Sequence, residues 1–237
     1  MIIPLDISSI KQLFQFICIC LYFNSHVTLS SFDIGNVQYL CVTCCDGFKT
    51  TQLTMYLQLQ QRIDHFKLTG HTSTLHDILH GIHEDTVLDI QTDYILVGPN
   101  CKWDKQITGN EMERYICISD ISTLPNVTIN CKTFMQITAN MTTIMRPVSV
   151  QIRSKQLQIK TNGPIIQLEN NIPLITHSVD IASTVVNSIT FKYIKYLIPY
   201  MQLKKTRDIC LSMEKGRIHL PYQVTRTIHV VATFIGT

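Results

Sequence analysis

Apolar side chains recur at helical spacing in four separate segments of the chain. In the last segment, Ile189, Tyr193 and Leu197 share one side of a predicted amphipathic helix. Lys192 and Lys195 lie on the opposite side, so this helix displays basic residues outward. The pattern predicts four helices, at about residues 8–22, 72–83, 132–145 and 187–202.

The segments between these helices are rich in Val, Ile, Thr and Tyr, which favour β-strands. After the fourth helix, apolar runs predict three strands, ICLSM, RIHLPYQV and TIHVVATFI, joined by turns at EKG and TR. The first two helices are spaced like the last two, which indicates two copies of one unit. The sequence therefore predicts an α+β protein with two similar domains, each a helix pair packed on antiparallel β-sheets.

Polar residues at the predicted helix starts support these assignments. Ser8 precedes the first helix, Thr72 or Ser73 the second, and Asn187 the fourth. Such side chains accept hydrogen bonds from the unpaired N–H groups of a first turn. Pro199 is expected to bend or end the fourth helix, because proline removes one backbone donor.

The composition is that of a folded globular chain. Of 237 residues, 45% are hydrophobic and 16% are charged, and the length accommodates two domains of about 120 residues. A formal net charge of +3 is too small for a general polyanion binder. The apolar run IKQLFQFICICLYF has no charged leader or cleavage site and contains Gln, so we expect a core helix and no membrane association.

Nine cysteines, an odd number, argue against a disulfide framework. Cys41, Cys44 and Cys45 fall on one predicted strand, where neighbouring side chains point to opposite faces. We therefore expect buried, reduced thiols that pack as small hydrophobic side chains, as in cytosolic or nuclear proteins.

Several segments, taken in order, resemble the sliding clamps of the proliferating cell nuclear antigen (PCNA) type. The C-terminal third carries a basic helix followed by ICLSMEKG, RIHLPYQV and IHVVATFI, which resemble the last strands of that family. The segment NEMERYICISDISTLPNVTINC resembles its end-of-domain strand, connector loop and second-domain start, with Glu111, Met112, Pro125 and Cys131 at matching spacing. The segment FDIGNVQYLCV resembles a first-domain loop and strand. The resemblance implies an N-terminal clamp domain at residues 1–118, an interdomain connector at 119–128 and a C-terminal clamp domain at 129–237.

The resemblance also implies a DNA-binding surface. Helices line the central hole of such a clamp, where cations contact duplex phosphates without reading the bases. The matching positions in this chain are Lys11, His76, His80, Lys132, Lys192 and Lys195. Lysines on surface helices also serve simply to solvate their outer side, and the residues alone favour that simpler interpretation.

A second implied surface binds short peptides of partner proteins. It would be built from Asn36, Val37 and Tyr39, then Ile121, Leu124 and Pro125, and finally Thr233, Phe234 and Ile235. Gathered aromatic and aliphatic side chains are common at such docking sites. Phe234 replaces a proline common in the family, and Phe234 and Ile235 could equally complete the core.

The resemblance implies a closed homotrimer, because a two-domain unit encircles DNA only when copies join head to tail. The joining strands would be MERYICIS and PIIQLENN. The implied partners are double-stranded DNA, DNA polymerase, other clamp-binding-peptide proteins and a clamp loader ATPase, with no cofactor. We expect a divergent processivity factor at a nuclear or cytoplasmic site of viral or cellular DNA replication. An accessory factor that keeps the clamp fold without closing a ring is the alternative.

Other chemistry is weakly indicated. His76, His80 and His83, with Asp77, have a spacing that could hold zinc, which gives a small zinc-binding protein as a further alternative. The sequence contains no G-x-S-x-G, no phosphate-cradling glycine loop and no G-x-G-x-x-G. A cysteine nucleophile paired with a distant histidine, His177 or His219, stays open. We expect a protein without catalytic activity.

Overall fold

The structure is a computed structural model, and it describes residues 1–47, 50–106, 126–141, 147–153, 155–162, 167–177, 182–187, 208–214 and 216–235. These residues form three α-helices: α1 (Ile7–Cys20), α2 (Thr72–His80) and α3 (Cys131–Met141). They also form sixteen strands: β1 (Ile2–Leu5), β2 (His26–Ile34), β3 (Val37–Cys45), β4 (Thr51–Gln58), β5 (Lys67–His71), β6 (Thr86–Ile90), β7 (Tyr94–Val97), β8 (Cys101–Asp104), β9 (Asn126–Asn130), β10 (Pro147–Arg153), β11 (Gln156–Asn162), β12 (Gln167–His177), β13 (Ala182–Asn187), β14 (Asp208–Glu214), β15 (Arg217–Gln223) and β16 (Ile228–Ile235).

The chain divides into two compact units. Unit 1 comprises Met1–Gly47, Leu53–Cys117 and Gln223–Val230, and unit 2 comprises Phe48–Gln52, Ile118–Tyr222 and Val231–Thr237. Most of the predicted connector, 119–125, lies outside the described residues.

The two units share one strand topology. In unit 1 the strands follow the orders β5-β2-β3-β4 and β1-β6-β7-β8, and in unit 2 the orders β13-β10-β11-β12 and β9-β14-β15. Strands that come at corresponding places in the succession of elements of each unit take corresponding places in its sheets. The predicted repeat of one helix and strand unit is therefore confirmed. The neighbouring strands are antiparallel, as the short turns require.

The units differ at one strand edge. In unit 2, β9 pairs with β14 on one side and with the last part of β12 on the other. In the described part of unit 1, the equivalent strand β1 pairs only with β6. Pro4 lies in β1, and the Gln61 side-chain amide donates to the Ile2 carbonyl at 3.0 Å. Both features suit an edge strand, because proline cannot donate and the amide occupies a free acceptor.

Helix α1 forms because apolar residues recur on one side and a cap begins it. Ile10, Leu13 and Ile17 are buried at intervals of three and four residues. The Asp6 carboxylate accepts from the Ser9 N–H at 2.6 Å, so the helix begins at Ile7. The prediction that Ser8 precedes the helix is therefore wrong.

The start of α2 also differs from the prediction, and α3 begins with a cap for which no prediction was made. His71 precedes α2 without a side-chain cap, and Thr72 is already its first residue. Asn130 caps α3, since its Oδ1 accepts from the Thr133 N–H at 3.1 Å. Asn187 is the last residue of β13, and the helix predicted after it lies outside the described residues, so its cap stays a prediction.

The core of unit 1 contains the predicted strand cysteines. Cys41, Cys44 and Cys45 of β3 are all buried thiols that form no disulfide, so both faces of this strand are covered. Burial raises the pKa of the Cys20 thiol, whose neighbour Cys44 adds to the shift. Burial therefore favours the protonated form of Cys20, and the buried thiols of β3 pack as small hydrophobic groups, as predicted.

Trp103, the single tryptophan of the sequence, fixes β8 against β5. It is fully buried, and its indole Nε1 donates to the His71 carbonyl at 2.9 Å. Gly70 makes room for it, because a Cβ there would lie 2.6 Å from a Trp103 ring carbon.

None of the described helices is long and apolar enough to cross a membrane.

Candidate functional site

The outer side of the helix pair in unit 1 carries three of the predicted DNA-binding residues. The ring of Phe14 on α1 lies 5.1 Å from the ring of His76 and 5.7 Å from that of His80, both on α2. The two imidazoles are nearly parallel, with centroids 6.3 Å apart. Lys11 is exposed one turn before Phe14 on α1. The structure therefore brings Lys11, His76 and His80 to the same pair of helices.

The charge on this helix pair is low. Lys11 is the only Lys or Arg in the sequences of α1 and α2. The His76 ring nitrogen Nδ1 lies 3.0 Å from the Asp77 carboxylate, whose side chain is 81% exposed. Asp77 competes with any external anion for a protonated His76. This surface can hold a phosphate backbone only weakly.

In unit 2, the described part of the predicted DNA surface is the first turn of α3. Lys132 is exposed there, while Phe134 and Thr138 on the same helix are buried. Lys192 and Lys195 lie outside the described residues. The structure thus places Lys132 on the solvent side of a helix, as the prediction requires.

The predicted peptide-docking residues are described in two groups, one in each unit. In unit 1, Asn36 is exposed, and Val37 and Tyr39 at the start of β3 are half-buried. The Tyr39 ring meets the Tyr56 ring edge to face at 6.2 Å. Val37 and Tyr39 are therefore partly available to a ligand.

The second docking group lies on β16 in unit 2. Thr233 and Phe234 are 3% and 2% exposed, and only Ile235 is half-buried. These side chains are part of the core, so any direct contact to a peptide falls to Ile235. The remaining predicted residues, Ile121, Leu124 and Pro125, lie outside the described residues.

A buried polar network in unit 2, which the sequence did not reveal, holds Thr233 in place. His219 of β15 has no exposed side-chain surface, and its Nε2 lies 3.2 Å from Glu214 Oε1. A carboxylate only accepts, so Nε2 carries the proton and Nδ1 accepts from the Thr233 hydroxyl at 3.0 Å. Arg217 donates to the same Glu214 oxygen at 3.2 Å.

The electrostatics of this network keep the imidazole neutral. Burial lowers the pKa of His219, and the nearby Glu214 carboxylate only partly offsets that effect. His219 contacts a hydroxyl and a carboxylate in this network, and neither is a thiol. The network therefore gives no support to a cysteine nucleophile at this position.

The structure does not gather the three predicted zinc-binding histidines, His76, His80 and His83, into one site. Among the described residues, no three His, Cys, Asp or Glu side chains come together in a way that could hold a metal ion. His76 and His80 pack on Phe14 instead, and His83 is exposed beyond the end of α2.

One predicted joining strand is partly described. The segment PIIQLENN enters the described residues at Gln167, where β12 begins. On this strand Glu169 and Asn171 are exposed, and Glu169 pairs with Lys160 of β11 at 3.1 Å. The other predicted joining strand, MERYICIS, lies outside the described residues.

Comparison with known proteins identifies the fold. No family model matches the sequence, and no curated protein matches it. The structure is similar to a chain of the PCNA2–PCNA3 complex from Sulfolobus tokodaii, with a TM-score of 0.65 and 9% sequence identity, covering 100% of this chain and 99% of that chain. It is also similar to PCNA from Thermococcus kodakaraensis, with a TM-score of 0.64, 10% identity, and coverage of 100% and 99%.

A third similar structure is that of A. fulgidus PCNA with the C-terminal region of FEN-1 bound to it. Its TM-score is 0.64 at 10% identity, with coverage of 100% of this chain and 98% of that chain. All three match over the whole length, and the strand topology repeats in both units. The chain therefore has the fold of the PCNA-type sliding clamps.

Proposed function

We propose that this protein is a DNA sliding clamp, a polymerase processivity factor that encircles duplex DNA without sequence specificity. The observation that carries the proposal is the whole-chain similarity to PCNA clamps, with the same strand order in two units. A clamp tethers its partners by topology and raises their local concentration on DNA. We accordingly propose no catalytic role.

The proposed DNA contacts are few and made with the backbone. Lys11, His76 and His80 in unit 1, together with Lys132, Lys192 and Lys195 in unit 2, would face the phosphates. Each cation that neutralises a phosphate adds about 0.9 to the salt dependence of binding. A small number of such contacts suits a protein that must move along DNA of any sequence.

Ring closure would use the free edge of β12. In the described part of unit 2, residues 167–173 of β12 pair with β11, and no strand pairs with their other side. A strand of a second copy could add there, and three copies would close a homotrimer. The structure of PCNA2 with PCNA3 shows that one neighbour of this fold forms a complex between such chains.

The proposed partners are DNA polymerase, other proteins with clamp-binding peptides, and a clamp loader ATPase. A. fulgidus PCNA binds the C-terminal region of FEN-1, a precedent for peptide docking on this fold. In this chain Val37, Tyr39 and Ile235 offer half-buried side chains for such contacts. We propose that the protein works where viral or cellular DNA is replicated, in the nucleus or the cytoplasm.

One observation favours a second candidate function. The helix pair of unit 1 has a single lysine and an exposed acid, Asp77, beside His76. A factor that keeps the clamp fold without encircling DNA would not need more positive charge. This open accessory factor is the alternative to the ring.

Sedimentation at micromolar concentration distinguishes these two functions. A ring predicts a species of three times the 27.2 kDa chain mass, which persists on dilution to the lowest detectable concentration. A chain that sediments as a monomer throughout would contradict ring closure and favour the open accessory factor.

A further inference from the structure

Two histidines far apart in the sequence meet on adjacent strands of unit 1. His26 on β2 lies directly opposite His71 at the end of β5 in the antiparallel ladder. Their ring centroids are 4.7 Å apart, and the ring planes are tilted by 32°. Opposite residues of a ladder point to the same face, so both imidazoles face the same side.

Neighbouring side chains orient the His26 ring. His26 Nδ1 lies 2.9 Å from the Ser25 hydroxyl oxygen, and the tautomer of the ring decides which of the two donates. This hydrogen bond orients the ring in either tautomer. When Nδ1 carries the proton, the lone pair of His26 is on Nε2, where a metal ion can bind it. In a metal-ligating histidine, the ring nitrogen that does not contact the metal typically makes a hydrogen bond, which fixes the tautomer and the orientation of the ring.

The charge state of His26 also suits ligation. Burial and the neighbouring His71 lower the pKa of His26, so its imidazole is neutral near pH 7. A neutral imidazole binds a metal ion without first losing a proton. His71 is exposed, which leaves room for water on the remaining coordination positions.

We propose that His26 and His71 form an open two-imidazole site for a divalent transition-metal ion such as Ni²⁺, Cu²⁺ or Zn²⁺. A metal–nitrogen bond of about 2.0–2.1 Å places two rings bound at a right angle with centroids roughly 4.5 Å apart, close to the observed separation. Imidazole suits these ions, whereas Mg²⁺ and Ca²⁺ require oxygen ligands. The site has two protein ligands, whereas groups of three or more potential metal ligands are absent among the described residues.

The bound ion would join β2 to β5 at the residue where α2 begins. His71 is the residue before α2, so the ion would fix the start of the helix that carries His76 and His80. The positive end of the α2 dipole lies nearby and opposes a cation, so we expect modest affinity. Binding to the folded state alone would raise the melting temperature with ion concentration. The site does not depend on the proposed clamp function.

Titration of the full chain with Ni²⁺ tests the site. His76 and His80 lie one helical turn apart and could take an ion themselves, so the parent protein carries His80→Ala. We expect one ion per chain, and a loss of affinity of about tenfold or more in His26→Ala and in His71→Ala. His83→Ala, which removes an exposed histidine elsewhere, is the matched control and should bind as the parent does. Mg²⁺ should not compete.

Cu²⁺ provides a spectroscopic check of the ligand set. The electron paramagnetic resonance spectrum should show two nitrogen ligands in the parent and one in either variant. His71→Gln is a second variant, which keeps a polar side chain of similar size but has no imidazole nitrogen. Unchanged Ni²⁺ affinity in variants that melt like the parent without metal, or no binding at millimolar Ni²⁺, would overturn the proposal.

Discussion

Strands β4 and β12 occupy equivalent positions at the ends of the orders β5-β2-β3-β4 and β13-β10-β11-β12. Every residue of β4 except Gln58 is buried. Among the β12 residues with described side chains, only Ile172 is buried, while Glu169, Asn171 and Ile175 are exposed. The same strand position is therefore closed in one unit and open in the other.

The backbone of the two strands differs in the same way. The N–H of Gln58, at the end of β4, donates to the Thr227 carbonyl of unit 1 at 2.8 Å. Residues 167–173 of β12 have β11 on one side and no described strand on the other. The unpaired edge of β12 can therefore accept a strand from a second copy of the chain, whereas the end of β4 has a backbone partner within its own chain.

The largest expected effect comes from placing a charge on each strand. Leu53 on β4 has no exposed surface, so Leu53→Asp should destabilise the fold by on the order of 4 kcal/mol or more. Ile175 on β12 is 51% exposed, so Ile175→Asp should change the free energy of unfolding by less than about 0.5 kcal/mol. Urea denaturation measures both, and equal losses would remove the contrast between the strands.

A charge on the open edge should instead weaken assembly. Asn171→Lys places a cation on the exposed side of β12 and should weaken self-association by about tenfold or more, because lysine protects strand edges against pairing. Val87→Lys is the matched control, since Val87 is 39% exposed on β6 of unit 1. Dilution series in the ultracentrifuge measure both variants. Equal association of Asn171→Lys and the parent would show that β12 is not the joining strand.

Acidification should act on the buried network of unit 2. The pKa of His219 is lowered in the folded state, so the unfolded chain binds more protons below about pH 6.5. The contribution of neutral His219 to the free energy of unfolding is complete above that pH and is lost as the pH falls toward the folded-state pKa. The slope for one such group is at most about 1.4 kcal/mol per pH unit.

His219→Gln should flatten this pH dependence in part, while lowering stability at pH 7 by about 1–2 kcal/mol through the lost hydrogen bonds. The remaining dependence should come from His26 and His229, whose pKa values burial also lowers. Urea titrations between pH 5 and pH 8 measure the difference. An identical pH profile in the variant would show that His219 does not control it.

The smallest expected effect concerns DNA. Lys11→Ala should reduce the slope of log affinity against log salt by about 0.9, and Lys132→Ala should do the same, because each removes one phosphate contact. Lys102→Ala is the control, since Lys102 on β8 pairs with Asp104 at 2.6 Å. Fluorescence anisotropy on duplex DNA at several salt concentrations measures the slopes. A loss of slope in the Lys102 variant alone would place the DNA on the other side of unit 1.

Helices and strands that follow from the spacing of apolar residues along the chain could be predicted from the sequence. The spacing of Ile10, Leu13 and Ile17 gave the position of α1, and β-branched runs such as that at β16 gave strands. The sequence does not fix the helix starts to the residue, because Asp6 and Asn130 have polar neighbours that can cap a helix equally well. The repeat was visible because two similar units must space their helices alike.

Contacts between distant residues could not be predicted in the same way. His26 meets His71 only through the register of β2 with β5, and one residue of slippage would separate them. The buried network around His219 likewise depends on β15 and on Thr233 of β16. Phe234 belongs to the core because β16 is covered, which its apolar sequence alone does not distinguish from a docking surface.

The most direct test of the clamp proposal is retention on circular DNA. The protein is assembled on a closed circular plasmid at low salt and challenged with high salt, and half of the sample is then linearised. A closed ring predicts retention on the circle and loss from the linear molecule, because only free ends let it slide off. Equal retention on both forms, or loss from both, would contradict the proposal that this protein encircles DNA.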